Sequence, residues 1–134
     1  MKRLNLILLV DDDETTNYLN KRLLDRMDIA DHIEVATNGD EALKFIRTSE
    51  EEYNVLPDLM FLDIKMPVMD GFEFLETYHQ LPDHLKQSIV VMMLTSSASF
   101  YDLERLKKYS AVEKHISKPL QEEHVREILK EHFA

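Results

Sequence analysis

A chain of 134 residues has room for one domain with a real core and none for a second of ordinary size, and its 44% apolar and 31% charged residues are a globular mix. With 16 Lys plus Arg against 26 Asp plus Glu, the net charge of -10 repels nucleic-acid phosphates and acidic membranes, and the densest basic stretch, Arg105-Leu106-Lys107-Lys108, is interleaved with apolar residues. Cysteine is absent, which excludes disulfides and thiolate metal sites, and no apolar run approaches the ~20 residues that span a bilayer, so the expectation is a cytoplasmic protein without direct nucleic-acid or membrane contact.

The first apolar run, Leu6 to Val10, is halted at once by Asp11-Asp12-Asp13-Glu14 and reads as a buried strand rather than a secretory leader. Asp13 is placed to cap a first helix in which Leu19, Leu23 and Met27 lie four apart. Ile33 to Ala36 is a second strand, and Asn38-Gly39 turns into the second helix. Ser49-Glu50-Glu51-Glu52, acidic and followed by Pro57, reads as a solvated loop before the third strand, Leu59 to Leu62. Asp70-Gly71 turns into a third helix that Leu81-Pro82-Asp83 ends, and Ile89 to Leu94 is the fourth strand. Leu103 and Leu106 mark a fourth helix, Val112 to Ile116 a fifth strand, and Val125, Ile128 and Leu129 the i, i+3, i+4 stripe of a fifth helix.

Strands one, three and four are continuously apolar, as central strands covered by helices on both faces must be. Five βα units in one short chain predict an α/β fold: an open, doubly wound parallel sheet.

In such a sheet ligands bind beyond the carboxyl ends of the strands. The residues found there are Asp11-Asp12-Asp13 after strand one, Asp63 after strand three, Thr95-Ser96 at strand four and Lys118-Pro119 after strand five. Carboxylates crowded at neighbouring strand ends are costly to ionise together unless a cation sits among them, and Mg²⁺, which takes oxygen ligands and commonly one or two carboxylates plus a phosphate, suits this set. Asp63 then has the surroundings of a nucleophile, since Mg²⁺ and Lys118 can draw charge from a transferring phosphoryl group. Thr95 offers a hydroxyl to the new phosphate, and Ser96 is small enough to leave that space open. Capping accounts for Asp13, which stays outside the site.

Leu8-Leu9-Val10-Asp11-Asp12-Asp13, the stretch from Pro57 through Asp63 to Gly71, Leu94-Thr95-Ser96 and Lys118-Pro119-Leu120 together resemble the response-regulator receiver domains of two-component signalling, from about Leu4 to the last helix. The resemblance implies a flavodoxin-like fold with sheet order 2-1-3-4-5 and five helices. It also implies Asp63 as phosphoacceptor, Asp11 and Asp12 as the acidic pair with Asp12 a direct metal ligand, and the Lys65 backbone carbonyl as a further ligand. Thr95 and Lys118 become the phosphate-sensing pair, and the Lys118–Pro119 peptide is expected to be cis. Lys65 and Ser97 flank the place where family members tune the lifetime of the acyl phosphate. One departure is His115, where the family usually has the Tyr or Phe that swings inward on activation; an imidazole there adds a pH-sensitive charge.

The expected mechanism is transfer from a phosphohistidine on a histidine kinase or histidine phosphotransfer protein to Asp63. The resulting switch is read by a downstream protein at the face made by helix 4, strand 5 and helix 5. Residues 1–134 are expected to form a single receiver domain without an output domain, catalysing only its own phosphorylation and dephosphorylation. Two alternatives are weaker. Asp11-x-Asp13-x-Thr15 imitates the nucleophile motif of haloacid-dehalogenase-type phosphatases, but after Lys118 only Glu122, Glu123, Glu127 and Glu131 are available for their further acidic motif, and Asp63 is left without a role. A phosphorylation-independent interaction module would not need every key side chain to persist. His32, His79, His84, His124 and His132 lack metal-ligand spacing.

Overall fold

The computed structural model describes residues 3–96 and 100–134, so Ser97 lies outside the described residues. In chain order the elements are β1 (Leu4–Val10), α1 (Glu14–Met27), β2 (Ala30–Ala36), α2 (Gly39–Tyr53), β3 (Leu59–Leu62), α3 (Gly71–His79), α4 (Asp83–Lys86), β4 (Val90–Thr95), α5 (Phe100–Leu106), β5 (Val112–Ser117) and α6 (Glu122–His132). The strands form a five-stranded sheet in the order β2-β1-β3-β4-β5, with every pair parallel. This is the doubly wound, flavodoxin-like order expected from the sequence.

Alternation along the strands divides the core into two layers. Leu8, Val10, Met60, Leu62, Val91 and Met93 face one side, where Ala42, Leu43 and Ile46 of α2 and Phe72, Leu75 and Tyr78 of α3 cover them. Ile7, Leu9, Leu59, Phe61, Met92 and Leu94 face the other, under Leu23 and Leu24 of α1 and Val125, Ile128 and Leu129 of α6. Both faces of the central strands are therefore apolar and buried, which is why those segments read as unbroken hydrophobic runs.

Local chemistry sets where the helices start. The Asp13 carboxylate accepts from the Thr16 N–H at 3.1 Å, Asn38 accepts from the Glu41 N–H at 2.9 Å, and Asp70 and Glu73 exchange hydrogen bonds in a capping box.

Packing overrides the local reading at four places. Ser49 to Glu52 are helical, not a loop, because α2 continues to Tyr53: Ser49 is wholly buried on the same face as Ala42 and Ile46, while Glu50 and Glu51 face solvent. Asp83 to Lys86 form a short extra helix that buries Leu85 in the core. It makes six helices among the described residues where five were expected, and the fourth and fifth helices of the sequence reading are α5 and α6. On α1, Leu19 is 53% exposed, and the buried positions are Asn17, Asn20, Leu23 and Leu24. On α5, Leu106 is buried but Leu103 is 37% exposed.

Candidate functional site

Strand register assembles the site. Val10 is paired with Leu62, and Leu62 with Met93, so the residues after β1 and β3 leave the sheet side by side; the Asp63 N–H donates to the Val10 carbonyl at 2.9 Å. Thr95 and Ser117 are likewise abreast, and the Lys118 N–H donates to the Thr95 carbonyl at 2.9 Å. Asp11, Asp12, Asp63, Lys65, Thr95, Ser96 and Lys118 consequently line one cavity of about 300 Å³, with Asp13 and Thr16 also on its wall.

Asp11, Asp12 and Asp63 each bring a carboxylate oxygen within 4.8 Å of the others. Asp11 and Asp63 are buried and Asp12 is exposed, so the cluster opens to solvent on the Asp12 side. A donor set made only of hard oxygens, crowded and carrying excess negative charge, fits a divalent cation such as Mg²⁺. The Lys118 ammonium lies 2.6 Å from Asp11 Oδ2 and 3.6 Å from Asp63 Oδ1. Burial, and then the charge of Asp11, push the Asp63 carboxyl up to about 6, while Lys118 pulls it back down. The Asp11 carboxylate is further held by the Asp13 N–H at 2.9 Å.

The loop after Asp63 is brought close to it by Gly71, whose N–H donates to the Ile64 carbonyl at 2.7 Å. A Cβ on Gly71 would lie 2.4 Å from the Asp63 carbonyl oxygen, so no other residue fits without displacing the backbone that carries the acid.

Comparison with known proteins shows the family of the chain. The response regulator receiver domain model matches residues 7–130. The chain belongs to that family. It is 32% identical over 127 residues to the probable methanogenesis regulatory protein FilR2 of Methanothrix harundinacea, covering 94% of this chain and 79% of that one. It is 30% identical over 123 residues to the signal transduction histidine-protein kinase BarA of Escherichia coli, covering 92% of this chain but 12% of the kinase. Among solved structures, a CheY-like response regulator receiver domain protein from Methanospirillum hungatei superposes with a TM-score of 0.75 at 29% identity, covering 96% of this chain and 92% of that one.

A receiver domain is a phosphoacceptor module of two-component and phosphorelay systems, not a catalytic enzyme, and the dehalogenase reading finds no support. Among the described residues, no helix is long and apolar enough to cross a membrane.

This receiver domain gathers seven of the residues singled out from sequence into one cavity, but not His115, which sits within β5 opposite Met93 and does not line it. His115 is half-buried, and its Nε2 has no hydrogen-bond partner among the described residues. The Lys118–Pro119 peptide is cis, as the resemblance implied. Sequence reasoning missed Asn17 and Asn20, both buried beneath the acids. Their signal was available: they share helical spacing with Leu23 and Leu24, but two amides do not register as a buried face when apolar residues alone are counted.

Proposed function

We propose that Asp63 accepts a phosphoryl group from a partner's phosphohistidine. The observation that carries this reading is the Asp63 carboxylate itself, buried at a strand end, clustered with two further acids and 3.6 Å from an ammonium, in a cavity open enough to admit a phosphoryl group. An Asp63 oxygen attacks phosphorus as the phosphorus–nitrogen bond to the donor imidazole breaks; the imidazole keeps the electron pair and takes a proton from solvent. Asp11, Asp12, Asp63 and the Lys65 backbone carbonyl would hold Mg²⁺, which when bound offsets charge on the phosphoryl oxygens.

Lys118, now against Asp11, is within reach of the phosphoryl oxygens and pairs with them once Asp63 carries the group. The Thr95 hydroxyl donates to a phosphate oxygen, and Ser96 leaves room for that movement. Loss of the phosphoryl group follows from attack of water on the same phosphorus, so the domain catalyses both its own phosphorylation and its dephosphorylation. Movement of Thr95 shifts the chain towards α5, and His115 on β5 follows, changing the α5, β5 and α6 face that a downstream protein reads. Residues 1–134 act as one receiver domain in the cytoplasm, with a histidine kinase or histidine phosphotransfer protein as donor and no direct contact with nucleic acid; the net charge of -10 supports the last point.

Intact-mass spectrometry after incubation with Mg²⁺ and acetyl phosphate tests the reading. One phosphoryl adduct is expected, absent in Asp63→Asn and in a chelated control. An adduct that survives Asp63→Asn but vanishes in Asp11→Asn would overturn it.

A further inference from the structure

The face that α1 turns to the sheet changes character along its length. Leu23 and Leu24 lie in the apolar layer with Leu9 and Phe61, but one turn nearer the N-terminus the buried positions are Asn17 and Asn20, each 6% exposed. Leucine would bury more favourably at either place, so an amide there needs a polar partner to justify it.

The orientation of the Asn17 amide is determined. The Asp11 main-chain carbonyl only accepts, so the atom 2.8 Å from it is Nδ2, and Oδ1 points elsewhere. Oδ1 is shielded from solvent and has no hydrogen-bond partner among the described residues. Asn17 lines a small cavity of about 10 Å³ between α1 and the sheet, whose wall also includes Asn20, Asp11 and Asp63. That is about the room one water needs and too little for two, and the wall offers the two or more polar partners that hold a buried water.

We infer that this cavity binds a single ordered water on Asn17 Oδ1, behind the acceptor, and that Asn17 is a positioning residue for the acidic cluster. The water donates to Oδ1 and bonds to a second polar wall group. Asn17 Nδ2 holds the Asp11 backbone from behind while the Asp13 N–H and the Lys118 ammonium hold its carboxylate from in front. Asp11 is then already in place when a cation arrives, and little ordering remains to be done on binding. The link from Asn17 to cation affinity rests on the reading of Asp11, Asp12 and Asp63 as the metal cluster; the water site does not.

The test compares the wild type with Asn17→Leu, which fills the cavity and removes both hydrogen bonds, and with Asn17→Ser, which keeps a hydroxyl. Water-to-amide NOE spectra of ¹⁵N-labelled, chelator-treated protein detect a long-lived internal water, and titration with Mg²⁺ alone gives the dissociation constant. The wild type is expected to show the water next to amides of the cavity wall, and Asn17→Leu to lose it. Mg²⁺ affinity should fall about tenfold in Asn17→Leu and less in Asn17→Ser. If Asn17→Leu does not fold, Asn17→Ser carries the same comparison. No long-lived water in the wild type, a signal that requires Na⁺ or K⁺, or variants that lose melting temperature with an unchanged Mg²⁺ constant would each overturn the inference. If the wild type neither binds Mg²⁺ nor takes a phosphoryl group, the phosphoacceptor reading fails and with it the positioning role, while the NOE experiment still decides the water site.

Discussion

The ammonium of Lys118 rests on Asp11, 2.6 Å away, and stands 3.6 Å from Asp63, with all three side chains largely buried. The lysine therefore compensates Asp11 first and Asp63 second. In Lys118→Met the two buried carboxylates lose their ammonium, and removing one partner of such a pair costs about 3 kcal/mol. Urea denaturation in chelator should show a lower midpoint, largely restored by millimolar Mg²⁺. A midpoint in chelator equal to that of the wild type would sink this account.

Stability should depend on pH through Asp63. Its carboxyl lies near 6 in the folded protein against the ordinary 3.8, so the folded state holds this proton more tightly than the unfolded chain does. The contribution is fully present below about pH 4 and is lost as pH rises through about 6. Asp63→Asn removes the ionising group. Without metal at pH 7.5 it should be more stable than the wild type by about 1–2 kcal/mol, after a discount for solvent screening, and the difference should close by pH 4. Denaturation curves at the two pH values check this, and an equal difference at both would contradict it.

The two glycines should respond differently to alanine. At Gly71 the new methyl would meet the Asp63 carbonyl oxygen at 2.4 Å and the Ile64 Cα at 2.9 Å, both backbone atoms. At Gly39 its nearest neighbours are Met69 side-chain atoms at 2.7 and 2.9 Å, which can swing away, and the nearest backbone atom, the Met69 carbonyl oxygen, is farther, at 3.0 Å. Gly71→Ala should cost about 1–3 kcal/mol and weaken Mg²⁺ binding, because the displaced backbone carries Asp63. Gly39→Ala should melt closer to the wild type; the reverse order would mean that the Gly71 turn relaxes freely.

Asp12 and Asp13 are neighbours on the same cavity wall, yet their roles separate. Asp13 accepts from the N–H and hydroxyl of Thr16 at the start of α1, and these bonds hold its carboxyl below the ordinary range. Asp13→Ala should lower the melting temperature by a few degrees and leave phosphoryl uptake near wild type. Asp12→Ala should do the opposite, with little change in melting temperature and uptake that demands far more Mg²⁺. Mass spectrometry across a Mg²⁺ series distinguishes them.

The three central strands were legible because they are buried on both faces, which writes each as an almost unbroken apolar run. Asp11, Asp12, Asp63 and Thr95 stand at the ends of such runs and could be picked out by position, and Lys118 follows the more polar β5. The helices were less legible. Ser49 lies buried at the far end of α2 although the acidic run from Glu50 to Glu52 looks like a loop, and Leu19 faces solvent although its spacing suits a core stripe.

What the sequence determined by itself, then, is the order of the strands and of the helices other than α4, the helix starts at Asp13, Asn38 and Asp70, and which side chains stand at the strand ends, because these follow from local periodicity and from hydrogen bonds a few residues long. Only the tertiary structure decided that Lys118 sits nearer Asp11 than Asp63, that Gly71 presses against the Asp63 carbonyl, and that Asn17 is buried against Asp11. Each of these depends on strand register and on how a helix is rotated over the sheet, which are set by the packing of residues far apart in the chain; the helical spacing of Asn17 with Leu23 and Leu24 is their one local trace.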